Sequence, residues 1–371
     1  MALCIGLMSG TSADGMDAAL VEISESGIRL IDALCIDYPR EVADFFKAMA
    51  VSETLSAELV MDADRLIAQY SVQAVITLLE QTGTDRSEVS LIGSHGHTLR
   101  HRAQPDGFSW QIGDPSWIAE HTGITCVADF RRRDIAAGGE GAPLVPAFHR
   151  FVFAERPDCA VLNIGGIANL TVFGDTVSGF DTGPGNALID EFCQHALGCK
   201  CDESGARAAS GSIITDLLNQ WLAHPYFSAT PPKSTGREVF NLDALMNVQP
   251  AVSPAHDASD ILATLTELSA KTMADAVKAQ APDTREVLIC GGGLKNEFLI
   301  KRFRAHLPGV NVVSTEAAGI DPDWMEAMAF AWLGWRTMNY LTGNLSEVTG
   351  AEGDRILGGI FPGSRGKDGQ K

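Results

Sequence analysis

Short apolar runs and polar turns alternate from the first residues onward. Residues 2–7 are apolar, residues 17–23 alternate, and residues 28–38 are rich in Ile and Leu, which predicts three strands joined by tight turns. Residues 39–50 then read as a helix. A longer helix covers residues 56–82, where Leu59, Leu66, Ile67, Tyr70, Ala74, Leu78 and Leu79 form one apolar face that stops at Gly83. A strand at 89–93 delivers Ser94 to Thr98 at its carboxyl end, and another at 124–129 leads into the polar loop 130–142. Near Pro143 the pattern starts again, with a helix to about residue 153, a strand at 159–164, a small-residue turn at 165–169 and a strand at 170–173. This is a weak echo of residues 4–21, and repeated strand-turn-strand openings suggest duplicated α/β lobes. Long helical patterns at 259–280 and 323–341 flank a strand at 287–290 and its glycines, 291–293. The pattern therefore predicts an α/β protein with a cleft between two lobes, 1–142 and 143–349, and a C-terminal segment, 350–371, ending in a loose tail from residue 363.

Composition sharpens the picture. With 371 residues and 45% hydrophobic content, the chain can bury a core of about two domains. A net charge of −19, spread along the chain, repels polyanions, so nucleic acid and acidic membranes are disfavoured as partners. An anionic substrate would need backbone amides at a turn, an Arg or a divalent cation to overcome that field. The N-terminus has no basic region followed by a long apolar stretch, and no apolar window reaches about 18 residues, so a cytoplasmic protein is expected. Eight scattered cysteines suit a reducing compartment. Cys193, His195, Cys199 and Cys201 are all potential zinc ligands. Cys193 and His195 stand two positions apart on a predicted helix, where side chains diverge, and no CxxC pair is present, so structural cysteines are favoured.

The segment Gly6-Leu7-Met8-Ser9-Gly10-Thr11-Ser12-Ala13-Asp14-Gly15-Met16-Asp17 lies between two predicted strands. Small residues let backbone amides approach an anion, hydroxyls can donate to phosphate, and an Asp beside the turn can hold Mg²⁺. An ordinary Gly/Ser hairpin has the same composition. The segment is not a Walker loop, because no Gly-Lys-Ser/Thr follows, nor a dinucleotide fingerprint, because a strand comes next. Asn163-Ile164-Gly165-Gly166-Ile167-Ala168-Asn169 occupies the equivalent turn of the second half. Phe180-Asp181-Thr182-Gly183-Pro184-Gly185-Asn186 sets an acid at a strand end before a helix, where it can act as a general base or as a helix cap. Gly291-Gly292-Gly293 with Asn296 ends a strand and could lie flat against a nucleoside.

Together these segments resemble the anhydro-N-acetylmuramic acid kinase family, a branch of the sugar kinase, Hsp70 and actin superfamily. The match also includes Ser94-His95-Gly96-His97-Thr98, Ala128-Asp129-Phe130-Arg131, residues 134–146, residues 231–238 and Glu326-Ala327-Met328-Ala329-Phe330-Ala331-Trp332-Leu333, so it runs through almost the whole chain. It departs at His97 and Glu140, where the family usually has Gln. The resemblance implies an actin-like fold with ATP between the lobes. Gly10, Thr11, Ser12, Ala13, Asp14, Gly15, Met16 and Asp17 would follow the phosphates, with Asp17 holding Mg²⁺ directly or through water. Gly165, Gly166 and Asn169 would meet the phosphates from the other lobe, and Gly291, Gly292, Gly293 and Asn296 the adenosine.

The implied sugar is 1,6-anhydro-N-acetylmuramic acid, whose bridge is opened by water while O6 is phosphorylated, giving N-acetylmuramic acid 6-phosphate in peptidoglycan recycling. Asp181 matches the catalytic base. Arg131 and Glu326 match sugar-contacting positions, and an Arg suits the lactyl carboxylate. Thr182 and Gly183 fall on the sugar side as well. His95 and His97 could contact the sugar or be satisfied loop histidines, and both readings stay open. Residues 231–238 would line the cleft as a mobile loop, and the resemblance implies a homodimer. Two other readings are an ATP-gated interaction protein of the same fold and a kinase for a different sugar.

Overall fold

The computed structural model describes residues 1–10, 12–52, 54–102, 104–156, 158–231, 233–236, 239–246 and 256–364. Thr11, Pro232, Arg237, Glu238 and the tail from residue 365 lie outside the described residues.

The opening alternation becomes a meander of β1 (Ala2–Ser9), β2 (Gly15–Ser24) and β3 (Gly27–Asp37), paired antiparallel in sequence order. β4 (Val89–Arg102) returns parallel to β1, β5 (Phe108–Ile112) folds back on its outer half, and β6 (Cys126–Ala128) runs parallel to its inner half. The second half repeats the plan. β7 (Cys159–Ile164), β8 (Ile167–Val172) and β9 (Ser178–Pro184) form an antiparallel meander; β10 (Glu286–Cys290) lies parallel to β7 and β11 (Asn311–Ser314) parallel to β10. A last strand, β12 (Gly359–Phe361), pairs antiparallel with β6.

Contacts divide the chain into one unit made of Met1–Val152 with Trp324–Lys371 and another made of Phe153–Asp323. This differs from the division at 142 and 349 that the pattern suggested. Helix Val145–Val152 sets Phe148 and Phe151 within 5.8 and 5.4 Å of Trp332, on helix Met325–Met338. That second helix lies on β1, β2 and β4, so both helices pack with the first sheet. The segment from residue 350 is not an appendage either, since β12 completes the same sheet.

In the first unit the central strand is covered on both faces, which is why residues 3–8 read as one continuous apolar run. Ile5 and Leu7 join Ala63, Ile67, Ala74 and Leu78 of helix Ala57–Thr82 in one cluster. That helix begins with the Ser56 hydroxyl accepting from the Leu59 amide at 3.2 Å and ends at Gly83, φ 65°. Gly6, between Ile5 and Leu7, faces the opposite way. A Cβ there would stand 1.8 Å from the Ala327 carbonyl oxygen, and one on Gly93 of β4 would stand 2.0 Å from that of Phe330. Helix Met325–Met338 therefore meets the sheet backbone against backbone.

In the second unit helix Ala258–Gln280 is buried along two faces. Ala270, Met273, Ala274 and Val277 pack on the sheet, while Ile261, Leu262, Leu265 and Leu268 pack on the helices around Trp221. Its buried Glu267 accepts from Arg302 at 2.6 and 3.0 Å and bonds His306 at 2.8 Å, so the charge is paired. No helix among the described residues is long and apolar enough to cross a membrane.

Gly93→Ala is expected to destabilise the protein by about 3 kcal/mol or more, because backbone cannot yield to the new methyl group as a flexible side chain would. Urea unfolding checks this, and a loss below about 1 kcal/mol would contradict the seating of the helix.

Candidate active site

In the first unit the turn between β1 and β2 is closed by the Ala13 amide donating to the Gly10 carbonyl at 3.0 Å, with Ala13 at φ 53°. Ala13 and Met16 point into the core, whereas Ser12 and Asp14 are exposed. Space above Gly10 is open apart from Ser12 Oγ, 3.6 Å from where its Cβ would be. Gly15 has a different reason to be glycine. A Cβ there would meet Cys35 Sγ at 2.5 Å and the Ile36 carbonyl at 2.7 Å, so it serves the pairing of β2 with β3.

Asp17 is the third residue of β2, between Met8 of β1 and Cys35 of β3. The Glu326 carboxyl, on the first turn of helix Met325–Met338, is pushed up by burial; Arg131 pulls it down and Asp17 raises it again. Arg131, on helix Phe130–Ala136, is thus grouped with Glu326 and Asp17. Burial lowers its guanidinium to about 10 against the pull of Glu326 and Asp134, so it remains a cation at neutral pH.

Arg131 is gripped from behind. Its Nε and Nη2 donate to His95 Nε2 at 3.2 and 3.0 Å, and its Nη1 donates to the Gly141 carbonyl at 2.9 Å. His95 Nδ1 lies 2.9 Å from the Gly96 carbonyl. A nitrogen facing a carbonyl must donate and one facing a guanidinium must accept, so the ring is neutral with its proton on Nδ1. Burial and the Arg131 charge both hold it in that state. The side-on fork of Arg131 is therefore taken by protein, and the outer edge of the guanidinium is what remains to meet an anion. The loop bearing Gly141 is fixed in turn by buried Asp134, which accepts from the Gly141 amide at 2.8 Å, Asn344 at 2.5 Å and Thr349 at 2.7 Å.

His95 and His97 are only 5% and 3% exposed. His97 Nδ1 bonds Ser9 Oγ at 3.1 Å, Tyr38 donates to the same oxygen at 3.0 Å, and Phe46 lies 5.0 Å from the ring. Both histidines have satisfied protein partners. Glu140 accepts from the Gln104 amide at 3.1 Å, which ties two loops.

In the second unit Asn163, Asn169 and Asp181 are register partners across β7, β8 and β9, and all three are half-buried. The Gly165 and Gly166 carbonyls accept from the amides of Asn186, Gly185 and Ala187 at 2.8–3.1 Å, so this turn docks on the start of helix Ala187–Phe192. The residue at the cap of that helix is Asn186. Asp181 lies five residues earlier within β9, which removes the helix-cap reading of its carboxylate.

Asp181 is held by a loop. Its amide donates to the Lys233 carbonyl at 3.2 Å, its carbonyl accepts from the Tyr226 hydroxyl at 2.7 Å, and its Oδ2 accepts from the Thr235 amide at 2.9 Å. Lys233 Nζ donates to the Tyr226 carbonyl at 3.1 Å and sits 4.7 Å over that ring. Burial and the Asp181 charge push the Tyr226 phenol up. Tyr226, Lys233 and Thr235 were not singled out as site residues by the sequence, although the last two lie in the segment expected to line a cleft.

The remaining candidates separate into open and packed positions. Thr182 turns inward and donates to the Ala168 carbonyl at 3.2 Å, and Gly183, φ 139°, is pressed against Phe227. Gly291 and Gly293 are required by Asn163 and Ile164, which a Cβ would meet at 2.3 and 2.2 Å, whereas Gly292 faces open space. Asn296 caps helix Glu297–His306 by accepting from Leu299 at 3.1 Å and donates to Asn186 at 3.2 Å.

The two sheets share one strand order: a three-strand meander whose first strand continues into two parallel neighbours. Met8, Asp17 and Cys35 are register partners across the first meander, as Asn163, Asn169 and Asp181 are across the second. A duplicated sheet of this order, opened in both copies by a glycine-bearing hairpin, defines the actin-like class of α/β proteins. Within it, the chain belongs to the anhydro-N-acetylmuramic acid kinase family, whose model matches residues 2–363. The anhydro-N-acetylmuramic acid kinase of Xanthomonas oryzae pv. oryzae is 48% identical over 368 residues, 97% of each chain. That of Hahella chejuensis is 47% identical over 363 residues, 96% of this chain and 98% of the relative. Among solved structures, component A of the (R)-2-hydroxyglutaryl-CoA dehydratase of Acidaminococcus fermentans is similar with a TM-score of 0.48 at 10% identity, covering 89% of this chain and 96% of that one.

Burial lowers His97 from 6.5 to about 4. The unfolded chain therefore binds a proton near pH 6.5 that the folded one refuses until about pH 4, so stability is lost as pH falls through that window. His97→Gln should remove about 3 kcal/mol of this pH dependence while keeping a partner for Ser9. Parallel urea titrations at pH 7 and pH 4 measure it, and unchanged pH dependence would refute the assignment.

Proposed function

We propose that this chain catalyses the reaction for which its family is named, as an ATP-dependent kinase acting on 1,6-anhydro-N-acetylmuramic acid. The observation that carries the reading is Asp181, a carboxylate taken out of any capping role and oriented by the Thr235 amide at 2.9 Å. As general base it takes a proton from water, whose oxygen bonds to the anomeric carbon. The bond from that carbon to O6 breaks, O6 bonds to the γ-phosphorus, and ADP leaves. The products are N-acetylmuramic acid 6-phosphate and ADP, and the step belongs to peptidoglycan recycling.

The cation at Arg131 supports recognition of the lactyl carboxylate through the guanidinium edge that His95 leaves uncovered. Thr182 and Gly183 support the sugar side through their backbone. The exposed Ser12 hydroxyl, Gly10 and the Asp14 backbone amide are suited to the phosphates in the first unit, and the Asn169 side-chain amide in the second. Gly292, where a Cβ would have no neighbour within 4 Å, suits approach of the adenosine. Mg²⁺, when bound, neutralises charge on the phosphates. Asp17 fits it: a half-buried carboxylate supplies the kind of oxygen ligand that a hard divalent cation takes. ATP as co-substrate and cysteines that form no disulfide among the described residues support a cytoplasmic location, and family resemblance supports a homodimer.

Asp181→Asn keeps shape and the hydrogen bond from Thr235 but cannot take a proton. Turnover should fall by about 10² to 10⁴ with nucleotide affinity and melting temperature little changed. Phosphorylation of a panel of anhydro- and ordinary amino sugars, with product mass measured in isotopic water, checks both substrate and ring opening. Near-normal turnover of the variant would overturn the base assignment.

A further inference from the structure

Residues 233–236 carry a polar group that the reaction has not yet used. Thr235 Oγ1 is buried and has no hydrogen-bond partner among the described residues, in a protein where most buried hydroxyls are satisfied. Burying a hydroxyl without a partner costs stability, so such a group either stores strain or awaits a ligand. Its place points to a ligand. The amide of the same residue donates to Asp181 Oδ2 at 2.9 Å, and the hydroxyl sits on the Cβ of that residue, within a side chain's reach of the carboxylate. It therefore flanks the carboxylate.

The segment is held in place rather than lying loosely over the strand. Asp181 bonds the Lys233 carbonyl through its amide, Tyr226 bonds the Asp181 carbonyl, and Lys233 Nζ returns to the Tyr226 carbonyl. This ring of bonds fixes Thr235 against the strand that bears the acid.

We propose that Thr235 is the second ligand of the attacking water, a reading that rests on Asp181 as the base. Water gives one hydrogen to Asp181 and directs the other at Thr235 Oγ1. That leaves a lone pair aimed at the anomeric carbon, and two acceptors raise its nucleophilicity. One proton moves, to Asp181; the threonine keeps its own.

Thr235→Val keeps the shape and the amide and removes the hydroxyl. The expected result is a fall in kcat of about tenfold, the worth of one hydrogen bond in a dry site, with the sugar KM nearly unchanged. Melting temperature should hold or rise, because an unsatisfied buried hydroxyl is gone. The acid limb of the pH-rate profile should stay in place, since the amide still holds Asp181. Thr235→Ser should restore kcat to within about twofold, and Thr235→Ala repeats the loss without any steric demand. A kcat for Thr235→Val and Thr235→Ala within twofold of the parent overturns the proposal, as does a loss that Ser fails to restore. If Asp181→Asn is inactive while Thr235→Val is normal, only the role of Thr235 falls; if Asp181→Asn is active, the base reading itself falls.

Discussion

The first unit depends on one contact, the seating of helix Met325–Met338 directly on the backbone of β1 and β4. Two missing Cβ atoms, at Gly6 and Gly93, permit it. Glu326, His95 and Arg131 are then placed relative to this helix. Glu326 stands on its first turn beside Asp17 and Arg131, and Phe330, one turn on, packs its ring 4.5 Å from His95. His95 in turn holds the Arg131 fork. Raise the helix by a methyl group and the acid, the histidine and the arginine lose their common reference.

Much of this was legible in the chain. β2 follows from period-two alternation, β1 and β3 from apolar runs between turns, and helix Ala57–Thr82 from its Ser56 start, its apolar face and Gly83; Asp181 was expected at a strand end and lies in the middle of β9. The return of residues 325–338 to the first sheet was not, because sequence order carries no information on long-range packing. A signal existed all the same: the helix is apolar on nearly every side, which marks a buried position. The glycines were legible as a group but not individually. Gly10 and Gly292 have open space, while Gly15, Gly291 and Gly293 answer to neighbours on other strands, distant along the chain. Histidine was the least legible type, since its role depends on which atoms face each ring nitrogen, and for His95 those belong to Gly96 and Arg131.

The two meanders carry their acids on different strands. The row Met8, Asp17 and Cys35 crosses the first meander, and the row Asn163, Asn169 and Asp181 crosses the second. The first sheet thus keeps its carboxylate on the middle strand of the meander, and the second keeps its own on the outer strand. A single strand order thus accommodates an acid on either strand without any change of topology.

The first unit is assembled from both ends of the chain, with residues 153–323 inserted between them. During synthesis the inserted unit is complete while the first still lacks its central helix and an edge strand. Until residues 325–338 emerge from the ribosome, β1 and β4 show the surrounding water an uncovered strip with no side chain at Gly6 or Gly93. Residues 325–338 thereby end this vulnerable interval, and their loss would leave a second unit tethered to an unfinished first.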